Sequence, residues 1–151
     1  MRPTLRWRSH GRQEEQQGFS LVELMVVIGI LAILLAIAVP RYSAWRASTA
    51  LQSATETLMA HMKQARIMAV AGNRDVYIAF TTTGYTLDSK GTQPQAFNLS
   101  SYGGGLGLSA NTSSMDFNSN GTSSTGTVTL TDADGDSKAI TVNVVGRAYY
   151  Q

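Results

Sequence analysis

A single carboxylate, Glu23, interrupts an otherwise apolar stretch near the start of this chain. It is the only ionisable side chain in residues 19–40. An ionised group inside a membrane-length segment is costly and normally has a functional reason. The spacing indicates one, because cleavage after Gly18 would leave a free amine on Phe19, four residues before Glu23. The amine of one chain would then be able to neutralise the carboxylate of a neighbouring chain among apolar helices.

Two more general interpretations of this segment stand beside that one. Residues 24–39 are just long enough for an ordinary signal anchor. Ala36, Ile37 and Ala38 resemble the small-x-small cleavage site of an ordinary secretory signal. Glu23 argues against both interpretations, because neither use gains anything from a charge at that position.

Charge is distributed unevenly between residues 1–18 and the rest of the chain. The 151 residues have a formal charge of +2 and a pI near 9.1. Residues 19–151 nevertheless hold eight basic and eight acidic side chains and are formally neutral. The basic pI therefore says little about a nucleic-acid partner. Basic residues before an apolar stretch predict a cytoplasmic leader and an exported C-terminal domain. The leader arginines are Arg2, Arg6, Arg8 and Arg12.

The remaining pattern predicts one long helix followed by antiparallel strands, an α+β arrangement. Pro40 ends the apolar stretch and is expected to break or kink the helix. Apolar residues then recur at steps of three and four, typical of an amphipathic helix, until Gly72 and Asn73 stop it. We therefore predict a leader at 1–18, an apolar helix at 19–40 and a globular domain at 41–151. The stripe residues are Leu51, Ala54, Leu58, Met62, Ala65 and Ala69.

Two hairpins are predicted after the helix. The first joins strands at residues 76–80 and 84–87. The second joins residues 127–131 and 139–145 around an acidic turn at 132–137. Residues 98–126 are rich in Ser, Asn, Gly and Thr and predict long loops around one short strand at 115–117.

The acidic turn carries Asp132, Asp134 and Asp136 at alternate positions, as calcium loops do. An EF-hand loop needs glycine at its sixth position and glutamate at its twelfth. Counting from Asp132, Gly135 is fourth and Asn143 is twelfth. A hairpin turn with solvated carboxylates is the favoured interpretation. We expect no metal and no cofactor, and these three residues are the weak candidate for a cation site.

Arg147 is the weak candidate for a nucleic-acid contact, because Tyr149 and Tyr150 follow it and cations beside aromatic rings bind single strands. No serine–histidine or carboxylate pair has a catalytic setting. The chain has no cysteine, and His10 and His61 are its histidines. These features do not indicate an enzyme.

The motif at residues 18–25, reading GFSLVELM, resembles the class III signal of type IV pilins and type II secretion pseudopilins. Three later stretches narrow the resemblance to the GspH/FimT family of minor pseudopilins and minor pilins. These stretches are LMAHMKQARIMAVA at 58–71, FNSNGTSSTGTVTL at 117–130 and VVGR at 144–147.

The resemblance implies a long helix against two small β-sheets and a place in a tip complex that primes assembly. It implies cleavage after Gly18 and methylation of Phe19 by prepilin peptidase, with Glu23 and Pro40 as assembly residues. The implied location is the inner membrane, crossed once, with the C-terminal domain in the periplasm. Other major and minor pilins or pseudopilins and the inner-membrane assembly platform are the implied partners.

A departure from the family's pattern argues against DNA as a partner. Some FimT-type pilins are associated with DNA uptake through a C-terminal Gly-Arg-x-Arg pattern. This chain has Gly146-Arg147-Ala148-Tyr149, so the second arginine is absent. An assembly subunit of a secretion pseudopilus is the first hypothesis, and a FimT-like pilin acting in pilus assembly or DNA uptake is the alternative.

Processing is the first testable consequence. Protein recovered from membranes should have the intact mass of residues 19–151 plus one methyl group. Intact-mass spectrometry checks this. A mature N-terminus at Val39 would instead support the ordinary secretory signal.

Overall fold

The computed structural model describes residues 19–89 and 93–151. The predicted cleavage residue Gly18 lies outside the described residues. The chain forms two compact units, Met1–Ala38 and Val39–Gln151. The first unit is described from Phe19 onward, and the second contains the globular fold.

The described residues contain one α-helix, α1, at Leu21–Gly72. It continues through Pro40, so the proline does not end the helix. Its C-terminus has the predicted stop. Asn73 adopts a positive φ of 47°, and two backbone bonds close the last turn, from Asn73 N–H to the Val70 carbonyl and from Arg74 N–H to the Ala69 carbonyl. This is the Schellman pattern, which satisfies carbonyls that the helix end leaves free.

The predicted stripe of α1 is confirmed, since all six of its residues are buried. They share one apolar cluster with residues of both β-sheets. The opposite side of α1 is solvated, with Gln52, Glu56 and Lys63 exposed. The helix therefore supplies one wall of the core and needs the sheets for the other.

The first sheet has the strand order β3-β2-β1-β5 and is antiparallel throughout. The predicted first hairpin is confirmed, with Thr81 opposite Gly84 across a two-residue turn. Its strands are β1 (Val76–Thr81), β2 (Gly84–Ser89), β3 (Gln95–Asn98) and β5 (Ser114–Phe117).

The second sheet has the order β4-β6-β7-β8 and is also antiparallel. The predicted second hairpin is confirmed as β6 and β7, with Thr131 opposite Ser137. Its strands are β4 (Gly107–Ala110), β6 (Gly126–Thr131), β7 (Ser137–Val142) and β8 (Ala148–Tyr150).

The prediction for residues 98–126 was partly wrong. The expected strand β5 is there, but Leu99–Tyr102 is a short 3-10 helix and β4 is a second strand. Strand β3 was also missed. Strands β3 and β4 have four residues each and lie at sheet edges, and pairing with β2 and β6 forms them rather than any alternation of their own. Strand β8 was not predicted either; it has three residues and pairs with β7 at the other edge of the second sheet.

The last predicted strand was too long. β7 ends at Val142, because the Gly146 N–H bonds to the Asn143 carbonyl and the Asn143 N–H bonds to the Arg147 carbonyl. Gly146 adopts φ of 68° in this turn, a conformation that glycine accepts without strain. The chain reverses there and returns as β8.

A stability test follows from the buried stripe. In a fragment of residues 41–151, we expect Leu58→Asp to unfold the domain, because Leu58 is fully buried and an unpaired buried charge costs about 3–5 kcal/mol. Ile67→Asp is the matched control on the exposed side of α1, where Ile67 is 67% exposed. Thermal unfolding followed by circular dichroism measures both. An unchanged midpoint for Leu58→Asp would contradict the helix phase.

Candidate functional site

The start of α1 is held by its own sequence. Ser20 precedes the helix and caps it, because its carbonyl accepts from Leu24 N–H at 3.1 Å and its Oγ accepts from Val22 N–H at 3.3 Å. Glu23 lies in the first turn, where the helix dipole favours a negative charge. Phe19 precedes the helix and is 83% exposed.

The apolar part of α1 has no cover from the rest of the described chain. Its 18-residue window of highest mean hydropathy, 3.0, contains no buried residue, and by length and composition it is able to cross a membrane. The Glu23 carboxylate makes no hydrogen bond or ion pair with any residue in 19–89 or 93–151. A surface of this kind is stable only against lipid or other apolar helices.

The acidic turn between β6 and β7 is a structural turn rather than three solvated carboxylates. Asp132 is buried, at 6% exposure, and its Oδ1 accepts from the N–H groups of Asp134 and Asp136 at 3.0 and 2.9 Å. The expectation that all three acids are solvated was therefore wrong for Asp132. Asp134 and Asp136 are exposed. Nowhere in the described part of the chain do three His, Cys, Asp or Glu side chains converge as metal ligands.

Arg147 lies in a basic groove that the sequence did not predict. The groove has a volume of about 480 Å³, and no acidic side chain is among the described residues that line it. We call it the basic groove; it is lined by Lys63, Arg66, Ile67, Gly146, Arg147 and Ala148. Lysine and arginine on α1 thus meet an arginine that follows β7. Lys138 lies elsewhere, with Gln52 and Glu56, and Lys90 is outside the described residues.

Two glycines position the arginine at the centre of the groove. Arg66 Nε donates to the Gly121 carbonyl at 3.2 Å. A Cβ on Gly146 would lie 2.9 Å from Arg66 Cδ and Nε and from the Gly121 carbonyl oxygen. No side chain fits there, so the glycine allows the arginine to lie flat against the turn. The guanidinium is fixed by backbone rather than by a carboxylate.

His61 serves packing. Its Nδ1 lies 2.7 Å from Tyr85 Oη, and its ring centroid lies 4.2 Å from that of Phe97. Burial lowers the pKa of His61 and raises that of the Tyr85 hydroxyl. His61 is thus a half-buried residue of α1 that packs on Tyr85 of β2 and Phe97 of β3.

Two family models match the chain. The model described as type II transport protein GspH matches residues 54–146. The model of the prokaryotic N-terminal methylation motif matches residues 15–39. The first match covers more than half of the chain. It includes the stripe from Ala54 onward and strands β1 to β7, and it ends at Gly146, directly before Arg147.

Curated relatives match over shorter stretches. The chain is similar to prepilin peptidase-dependent protein D of Escherichia coli K12, 40% identical over 57 residues, which are 38% of this chain and 39% of the relative. It is similar to a fimbrial protein of Pseudomonas aeruginosa, 36% identical over 66 residues, which are 44% of this chain and 42% of the relative. The matched stretch spans about two fifths of the length of these relatives.

Solved structures share the fold. The type IV minor pilin FimU of Pseudomonas aeruginosa PAO1 matches with a TM-score of 0.53 and 21% identity, over 67% of this chain and 87% of that chain. The minor pseudopilin EpsH of the Vibrio cholerae type 2 secretion system matches with a TM-score of 0.52 and 11% identity, over 67% and 95%. The predicted pilin-like α+β fold is confirmed.

The basic groove sets an upper limit on DNA binding. The three cations of the groove neutralise at most three phosphates. The plot of log affinity against log salt concentration should therefore have a slope no steeper than about −3. We predict no appreciable binding of residues 41–151 to DNA at roughly 150 mM salt, measured by fluorescence anisotropy. Lys138→Ala is the control for a basic residue outside the groove. Micromolar binding that Arg147→Ala abolishes and Lys138→Ala preserves would contradict the prediction.

Proposed function

We propose, from the premise that this chain belongs to the family of the type II transport protein GspH, that it helps to prime or cap a secretion pseudopilus. Members of this family are structural minor pseudopilins and not enzymes. The observation that carries the proposal is the exposed apolar helix, whose one carboxylate has no partner among residues 19–89 and 93–151. A monomer in water cannot keep that surface exposed, so the helix belongs in a bilayer or among other helices.

The proposed assembly contact is an ion pair between chains. Cleavage after Gly18 gives Phe19 a free or methylated amine, which remains cationic. Among apolar helices an unpaired Glu23 carboxylate is strongly disfavoured. The Phe19 amine of a neighbouring subunit removes that penalty, and it does so only in one axial register. The pair therefore aligns subunits as well as neutralising them.

Family membership implies processing by prepilin peptidase and partners within the pseudopilus. We propose the finer arrangement that the charges support. Four leader arginines stay in the cytoplasm, residues 19–40 cross the inner membrane once, and residues 41–151 lie in the periplasm. The assembly platform would then extract the helix from the bilayer.

A minor type IV pilin is the second candidate. Its support is the likeness to a fimbrial protein and to the minor pilin FimU. Both candidates require the same processed helix and the same contact at Glu23. Neighbouring genes distinguish them, because secretion and pilus components are encoded with their own machinery.

Removal of the carboxylate tests the proposal. We expect Glu23→Val to be cleaved and inserted into the membrane but not incorporated into the fibre or its tip complex, because no charge penalty then draws subunits into register. Cleavage is measured by intact mass, insertion by membrane fractionation, and incorporation by crosslinking to neighbouring subunits.

Two matched variants sharpen this test. Glu23→Gln keeps the shape of the side chain but removes its charge, and it should fail to be incorporated, as Glu23→Val does. Val26→Leu, a change at an exposed apolar position of the same helix, should assemble normally. Normal incorporation of Glu23→Val would show that the carboxylate is dispensable.

A further inference from the structure

Two large aromatic side chains on α1 are mostly exposed. Tyr42 is 59% exposed and Trp45 is 62% exposed. Their ring centroids are 5.9 Å apart, so they form one surface at helix spacing i, i+3. Ala47 is the first buried residue of α1. The pair therefore precedes the part of the helix that packs on the sheets.

The residues around the pair are mixed in character. Arg41 and Arg46 flank the rings and are exposed. Arg46 also lines a pocket with Ala133 and Asp134. Trp and Tyr combine an apolar ring with a polar N–H or O–H group. Trp and Tyr are enriched at both membrane–water interfaces for this reason.

We propose that Tyr42 and Trp45 bind the headgroup region of a phospholipid bilayer and fix the depth of the chain before it enters a fibre. The proposal rests on the proposed function, which places residues 19–40 in the membrane. The occupant is lipid because the rings follow directly after the apolar stretch, which ends at Val39. Aromatic rings and arginines at this position suit the membrane–water interface, where lipid phosphates lie next to the hydrocarbon core.

The depth of the rings agrees with this zone. Tyr42 and Trp45 lie about 4.5 and 9 Å beyond Val39 along a helix that rises about 1.5 Å per residue. The headgroup region of each leaflet is about 5–7 Å thick. Helical side chains tilt toward the N-terminus, which returns the Trp45 ring toward the bilayer. Both rings therefore reach the interface.

The flanking arginines complete the recognition. Arg41 and Arg46 have long aliphatic stems that cover apolar surface while the guanidinium group remains in a polar layer. Lipid phosphates are suitable bidentate partners for guanidinium groups. In the proposed arrangement, the two rings contact the boundary of the acyl chains and the two guanidinium groups contact the lipid phosphates.

Tryptophan fluorescence tests the proposal directly. The chain has two tryptophans, Trp7 and Trp45, so the full-length Trp7→Phe variant reports on Trp45 alone. It is reconstituted into phosphatidylcholine–phosphatidylglycerol vesicles that contain lipids brominated at shallow or deep acyl positions. We expect blue-shifted emission, stronger quenching by shallow than by deep bromines, and little quenching by aqueous iodide.

A matched control probes the far part of the same helix. Ile67→Trp in a Trp7→Phe, Trp45→Phe background places the probe at a position that is 67% exposed. Its iodide quenching should be several-fold stronger than that of Trp45, with no bromine quenching. Tyr149→Trp in the same background replaces this control if the Ile67 variant does not fold.

The outcomes separate the two proposals. Failure of the chain to float with vesicles would overturn both the membrane placement and the anchor. A chain that floats, but whose Trp45 is quenched by iodide as strongly as the control, would overturn the anchor alone. Stronger quenching of Trp45 by deep bromines would also overturn it, since the ring would then lie in hydrocarbon.

Discussion

The structure depends on how the apolar surface of α1 is covered. From Ala47 onward, the two sheets of the same chain cover the helix stripe. Before Ala47 no described residue of the helix is buried. One helix therefore has two kinds of environment, one supplied by its own domain and one by its surroundings. Burial of apolar area is non-directional, so this division explains why the chain folds locally yet is incomplete as a monomer.

Polar groups in the globular domain are placed by backbone more than by ion pairs. Asp132 closes its hairpin by accepting two backbone N–H bonds, and Arg66 is held by a backbone carbonyl between two glycines. Contacts of this kind fix turns without demanding an opposite charge. In the basic groove, Lys63 and Arg147 are exposed beside the arginine that the backbone holds.

Local patterns predicted most of this fold. The spacing of apolar residues from Leu51 to Ala69 correctly predicted the buried face of α1. The alternation of apolar and polar residues in β6 and β7 correctly predicted their hairpin. Strands β3 and β4 escaped prediction because four residues are too few to show an apolar–polar alternation. They form by pairing with the neighbouring strands β2 and β6. The basic groove escaped because Arg66 and Arg147 are far apart in sequence. The turn after β7 brings them together, and the sequence had predicted that the strand would continue there to residue 145.

The role that we propose for Glu23 is one that apolar residues cannot fill. Lipid tails are as apolar as leucine, so hydrophobicity does not decide between a helix in the bilayer and a helix among other helices. An additional apolar side chain would be equally stable in both. A carboxylate is not, because it is costly wherever no cation meets it. In residues 19–40 it is the single ionisable side chain. The amine that we propose as its partner would exist only after cleavage, so the proposed pair would link processing and assembly through one charge.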